Sequence, residues 1–249
     1  MCDMYAAKFS ELVKIVERLR KECPWDREQT NQSIKNNLIE EAFELYEALQ
    51  DDDNQKIIEE LGDCMLQVIF HSVIKNQNGE FGLVDVIDNL INKLIRRHPH
   101  VFGGKKLNTE EEVLSQWDSI KQIEKNSLLD GIPKRMPALL RAYKVQKRLS
   151  NVGLDFENIK DIFDKIYEEL EELKKSETKE QKTEELGDVL FSLVNLSRFF
   201  DIDPQEALHL SIDKIVNRFE YIEKRLNSDF KGTSLALLNE LWEESKANT

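Results

Sequence analysis

Glycine and proline are scarce, nine and five among 249 residues, and strand-like alternation of apolar and polar residues is rare. Both shortages favour helices over a turn-rich β fold. Cysteine is also sparse. Cys2, Cys23 and Cys64 are three in number, so they cannot all pair with one another, and no metal-ligand spacing connects them. They read as reduced thiols of a cytoplasmic protein. No run approaches the ~18 apolar residues that a membrane span requires, and the N-terminal residues lack an apolar signal core. Positive charge is in deficit: the formal net charge is −13. That argues against a nucleic acid polymer as partner, because binding to its phosphate backbone rests on cationic contacts. It is compatible with recruiting divalent cations. With 40% apolar and 33% charged residues, the composition is that of a soluble globular protein able to bury a core.

What the chain does have is clustered carboxylates. At about 100° per residue, Glu40, Glu41, Glu44 and Glu47 share one face of a helix, opposite Leu38, Ala42, Leu45, Tyr46 and Leu49. Alone, that is an ordinary acidic solvent face. After the turn at Asp51 to Asn54 comes a helix whose stretch Leu61 to Phe70, LGDCMLQVIF, is apolar on nearly every side and is expected to be buried. Glu60, Asp63 and Gln67 form one polar stripe along it. Buried carboxylates are costly without a cationic partner, and a metal ion serves several at once.

The pattern recurs. Glu168, Glu169 and Glu172 repeat Glu40, Glu41 and Glu44, and Glu185 and Asp188 repeat Glu60 and Asp63 inside EELGDVLFSLV. Gly62 and Gly187 match, and glycine within a helix at equivalent places suggests close helix approach. The offset between copies shrinks from 129 at Asp26 and Asp155 to 121 at Lys93 and Lys214. A duplicated helical unit with trimmed loops explains this. The expected architecture is all-α, two tandem four-helix modules over residues 1–126 and 137–249, joined by a linker at 127–136 that holds Gly131 and Pro133.

Each copy also carries a lysine and an arginine four apart on one helix face, Lys93 with Arg97 and Lys214 with Arg218. Carboxylates that hold Mg²⁺, together with cations that neutralise phosphate charge, suit water attack on a polyphosphate. A di-iron bundle would need Glu-x-x-His on two helices. Only Glu206 with His209 fits, so iron is disfavoured.

EExxE followed by ExxD, twice, with LGD and a downstream KxxxR, resembles the MazG family of nucleoside triphosphate pyrophosphohydrolases. CPWD at Cys23 to Asp26, RRHPHVF at Arg96 to Phe102, the stretch IPKRMPALLRAYKVQKR from Ile132 and NVGLDF from Asn151 extend the likeness over nearly the whole chain. They point to the two-repeat bacterial form. The resemblance implies a dimer of helical modules that hydrolyses nucleoside triphosphates to monophosphate and pyrophosphate with Mg²⁺, Mn²⁺ substituting, to clear excess or non-standard nucleotides. Carried over by position, Glu169, Glu172, Glu185 and Asp188 would hold the metal. Glu168 and Glu184 would support them or position the water. Lys214, Arg218 and Trp242 would bind substrate. Glu40, Glu41, Glu44, Glu60 and Asp63 would be the first repeat's metal set, with Lys93 and Arg97 beside it. One departure is Asn217, where the family often has a second arginine. The competing reading is a non-catalytic helical module that senses nucleotides or docks a protein; release of pyrophosphate separates the two.

Overall fold

The computed structural model describes residues 2–104, 107, 109–123 and 127–247. Among them every regular element is a helix, and no helix is long and apolar enough to cross a membrane. The chain divides into two compact units, Met1–Ile120 and Lys121–Thr249.

The first unit contains α1 (Cys2–Glu22), α2 (Pro24–Glu28), α3 (Asn37–Gln50), α4 (Asn54–Gln77), α5 (Leu83–Arg97), α6 (Pro99–Phe102) and α7 (Glu110–Ile123), the last running past the unit's boundary. Its centre is the hairpin of α3 and α4, with α1 and α5 packed on α4. The hairpin turn is set by local chemistry. Asp52 adopts φ 52°, a left-handed conformation that Asp tolerates. The Asp53 carboxylate then caps α4 by accepting from the amides of Gln55 and Lys56. The core unites Val16 of α1, Ile34, and Ile69, Phe70, Val73 and Ile74 of α4. Arg20 is buried at its edge, donating to Gln77 Oε1 and to the carbonyls of Asp26 and Gln29. It therefore pins α2 and the following turn to the body of the unit. Pro24 and Pro99 each open a short helix at its first position, where the missing N–H costs nothing.

The second unit contains α8 (Ala138–Ser150), α9 (Ile159–Lys175), α10 (Lys179–Phe199), α11 (Pro204–Arg225) and α12 (Leu235–Ser245). Here α9 and α10 make the hairpin, α8 packs on α10 and α11, and α11 packs on α12. Thr178 and Gln181 form a capping box at the start of α10. Asn158, Asp203 and Ser234 cap α9, α11 and α12 with their side chains. Residues 127–136 are tied to α8 by Arg148, which donates to the carbonyls of Leu128 and Asp130. Ile162 and Ile166 of α9, Val189 and Val194 of α10, Ile222 of α11 and Leu241 of α12 are buried. Ile162 is 0% exposed. Ile162→Ala is expected to destabilise the unit by about 2–5 kcal/mol, read from urea unfolding followed by circular dichroism.

Two expectations fail. The LGD helices are buried on one side only: Ile69 is 1% exposed on α4, whereas Leu61 is 51% exposed. Met65 and Val68 of α4, and Leu186, Leu190 and Leu193 of α10, are likewise exposed. Nor do Gly62 and Gly187 mark a close approach, since a Cβ added at either would meet nothing within 4 Å. Within one chain each hairpin is covered by its neighbours on one side, and the remaining apolar positions face outward.

Candidate active site

Both hairpins bring carboxylates together across the helix–helix seam. In the first unit, Glu41 of α3 and Glu60 and Asp63 of α4 each place an oxygen so that all three lie within 4.8 Å of one another. The same holds for Glu169 and Glu172 of α9 with Glu185 of α10. In each case the hairpin turn fixes the register, so one face of the acid helix meets the polar stripe of the LGD helix.

The first cluster is short of positive charge. Burial and the charge of Asp63 hold the Glu41 carboxyl above the ordinary carboxylate range, Glu44 and Glu40 adding to the effect. Burial also raises Glu60, followed by Glu44, Glu59, Asp63 and Glu41. Gln67, 7% exposed, donates from Nε2 to Glu41 Oε1 at 3.2 Å. Glu60 Oε2 is buried without a hydrogen-bond partner. Nearby, the Cys64 thiol is pushed up by burial and then by the charges of Glu41, Glu60 and Asp63, which disfavours the thiolate.

The second cluster has a cation built in. Lys165, one turn ahead on α9, places Nζ 2.8 Å from Glu169 Oε1 and 3.0 Å from Glu168 Oε1. Those two hydrogen bonds hold the ammonium in its charged form, far above the ordinary lysine range. Glu185 is raised by burial, then by Glu172, Glu169, Asp188 and Glu184. The repeat aligns Asn37 with Lys165, so the first cluster has a neutral side chain there.

The remaining sequence-derived residues sit around these clusters. Glu40 and Glu44 on α3, and Asp188 on α10, lie outside the converged groups of three, and all are exposed. Glu168 and Glu184 are exposed too. The Arg218 guanidinium of α11 lies over the Trp242 ring of α12, 5.7 Å from its centroid, a cation–π contact. Lys214 is exposed one turn before it, while Lys93 and Arg97 are half-buried on α5.

Residues 29–102 and 157–222 each match the MazG nucleotide pyrophosphohydrolase domain, and each carboxylate cluster lies inside one matched segment. The chain belongs to the MazG family. Over 96% of its length it is 42% identical to the Thermotoga maritima nucleoside triphosphate pyrophosphohydrolase/pyrophosphatase MazG, covering 95% of that protein. It is 35% identical to the Escherichia coli K12 nucleoside triphosphate pyrophosphohydrolase, again over 96% of the chain, and covers 97% of that protein. It is also 44% identical to Bacillus subtilis YabN, of which it spans 52%. Trp242 lies outside both MazG-matched segments.

Lys165 is the side chain beside these MazG clusters that sequence reasoning missed. The signal for Lys165 was present: three and four residues separate it from Glu168 and Glu169, the spacing at which helix side chains meet. Gln67 was noted on the stripe, but its partner on the other helix was not. Because the raised glutamates hold protons more tightly in the folded than in the unfolded state, their ionisation opposes folding. The stability they contribute is present at low pH and declines as pH climbs above the ordinary glutamate range. A cation that binds the ionised clusters should reverse this. Added Mg²⁺ is therefore expected to raise the melting temperature more at pH 8 than at pH 5 in calorimetric scans.

Proposed function

We propose that this chain hydrolyses nucleoside triphosphates to the monophosphate and pyrophosphate, clearing excess or non-standard nucleotides in the cytoplasm, with Mg²⁺ as its cation and Mn²⁺ as a substitute. The observation that carries the reading is a group of three convergent carboxylates built twice on the same hairpin, in a chain of the MazG family. The donor set fits a hard divalent ion: oxygen ligands only, mutually repelling, with a buried Glu60 oxygen lacking a partner. Glu169, Glu172 and Glu185 would hold it, with Asp188 within electrostatic reach. A cation held there supplies Lewis-acid polarisation of phosphate oxygens.

The chain's own side chains divide the remaining work. Lys214 and Arg218 neutralise the phosphates, and the Trp242 ring keeps the Arg218 guanidinium in position. Glu168 and Glu184, exposed beside the cluster, orient the attacking water and accept its proton. Lys165 holds Glu168 and Glu169 in place. The outward apolar positions of α4 and α10, with Gly62 and Gly187 facing open space, support assembly with a second copy of the chain into a homodimer. The acidic balance disfavours a nucleic acid polymer, and no described helix is long and apolar enough to cross a membrane.

Hydrolysis in ¹⁸O-labelled water tests the bond cleaved. Label is expected in the monophosphate or in pyrophosphate. Label only in orthophosphate, beside a diphosphate, contradicts the reading. Tight nucleotide binding without turnover would favour a sensing module.

A further inference from the structure

A cavity of about 350 Å³ opens in the second unit between α8, the turn that follows it, and α10. Gln146, Leu149, Leu154, Phe156, Phe191 and Asn195 line it, and the ion pair of Arg198 with Asp155 closes one edge. Phe191 and Asn195 follow Asp188 on α10 by three and seven residues, on the same face. At a rise of about 1.5 Å per residue, Asn195 lies roughly 10 Å along the helix from Asp188. That is a nucleoside's reach from its 5′ phosphate.

The polar groups of the cavity are fixed in orientation and left with capacity to spare. Gln146, 4% exposed, donates from Nε2 to the Phe191 carbonyl at 2.7 Å. That bond sets the amide, so Oε1 is the atom left buried without a partner. Asn195, 8% exposed, accepts on Oδ1 from Arg198 Nε at 3.1 Å and from its Nη2 at 2.7 Å. Its Nδ2 makes no hydrogen bond among the described residues. The cavity therefore pairs one unused acceptor with one unused donor, between the apolar faces of Phe156 and Phe191. The repeat aligns Glu17 and Phe70 with Gln146 and Asn195, and Phe70 belongs to the first unit's core. The amide pair is particular to the second unit.

We propose that this cavity receives the nucleobase of the triphosphate: a planar heterocycle that gives an N–H to Gln146 Oε1 and accepts from Asn195 Nδ2. The proposal rests on the pyrophosphohydrolase reading and adds to it the residues that hold the base.

The experiment compares ATP with purine riboside triphosphate, whose base has no N–H. On the unaltered chain kcat/KM for ATP is expected to be about tenfold or more higher, the difference lying in KM. With Gln146→Met the ratio should fall to about one, because the missing acceptor no longer distinguishes them. Phe191→Ala, at a half-exposed position, should raise KM for both substrates and leave kcat within about twofold. A merely structural role for Gln146 would weaken both substrates equally and keep the ratio. Equal use of the two by the unaltered chain, or a ratio unchanged by Gln146→Met, overturns the proposal. If neither triphosphate is hydrolysed, the pyrophosphohydrolase reading fails by itself. The same ratio is then read from the dissociation constants of the two 5′-monophosphates: a preference for AMP lost in Gln146→Met supports the base site, and no preference overturns it.

Discussion

Glu172→Ala and Asp188→Ala are each expected to slow triphosphate hydrolysis at least ~10²-fold, because the carboxylates that would hold the cation and orient its chemistry are lost. The matching changes in the first repeat, Glu44→Ala and Asp63→Ala, are expected to cost much less. Three features separate the repeats. Lys165 bonds to Glu168 and Glu169, whereas the first repeat has Asn37 at that position. Lys214 and Arg218 lie in the middle of α11, which continues to Arg225 and packs against α12 with Trp242. By contrast α5 ends at Arg97, where His98 caps it and Pro99 opens a new helix, so Lys93 and Arg97 occupy its last turns. The first repeat is then expected to bind nucleotide weakly or to contribute to an interface with a second copy of the chain. Steady-state rates on variants with unchanged circular dichroism decide it. Equal losses in both repeats mean two working sites or a composite one, and larger losses in the first repeat sink the assignment.

Chelation is expected to abolish activity, a fall of more than ~10²-fold, with recovery on adding Mg²⁺ or Mn²⁺. Burial and neighbouring carboxylates raise Glu41, Glu60 and Glu185, so each cluster resists holding its full negative charge unaided. A triphosphate approaching either cluster adds further negative charge. Lys165 offsets only part of it in the second unit, since its ammonium is committed to Glu168 and Glu169. Full turnover in excess EDTA would show that side-chain cations suffice and would overturn the metal assignment.

Much of this was written in the sequence because helical periodicity is local. The duplication is visible in EELGD alone, and Lys93 and Arg97, four residues apart, do lie on one helix. Periodicity also put Glu41, and Glu169 with Glu172, on the helix faces that meet the second helix of each hairpin, since a residue's angle about its own axis follows from about 3.6 residues per turn. The capping box of Thr178 with Gln181 is equally local, its two side chains lying three residues apart.

Periodicity cannot say what another helix brings to that face. Nine candidate metal-binding carboxylates were legible, but packing of the hairpins decided that Glu41, Glu60 and Asp63 converge in one unit and Glu169, Glu172 and Glu185 in the other. Packing likewise joined Gln67 to Glu41 across the seam and set Arg218 over Trp242. It also left Leu61 and Gly62 facing outward, although their sequence reads as core. The cavity at Gln146 and Asn195 had no sequence signature, because α8 and α10 supply one amide each: the Phe191 carbonyl orients Gln146 across the helix contact, and Arg198 orients Asn195 along its own helix. Sequence determined the helices, their duplication and the chemistry available on each face; tertiary structure decided which faces meet, because burial of the apolar stripes, not any local rule, sets how the helices pack.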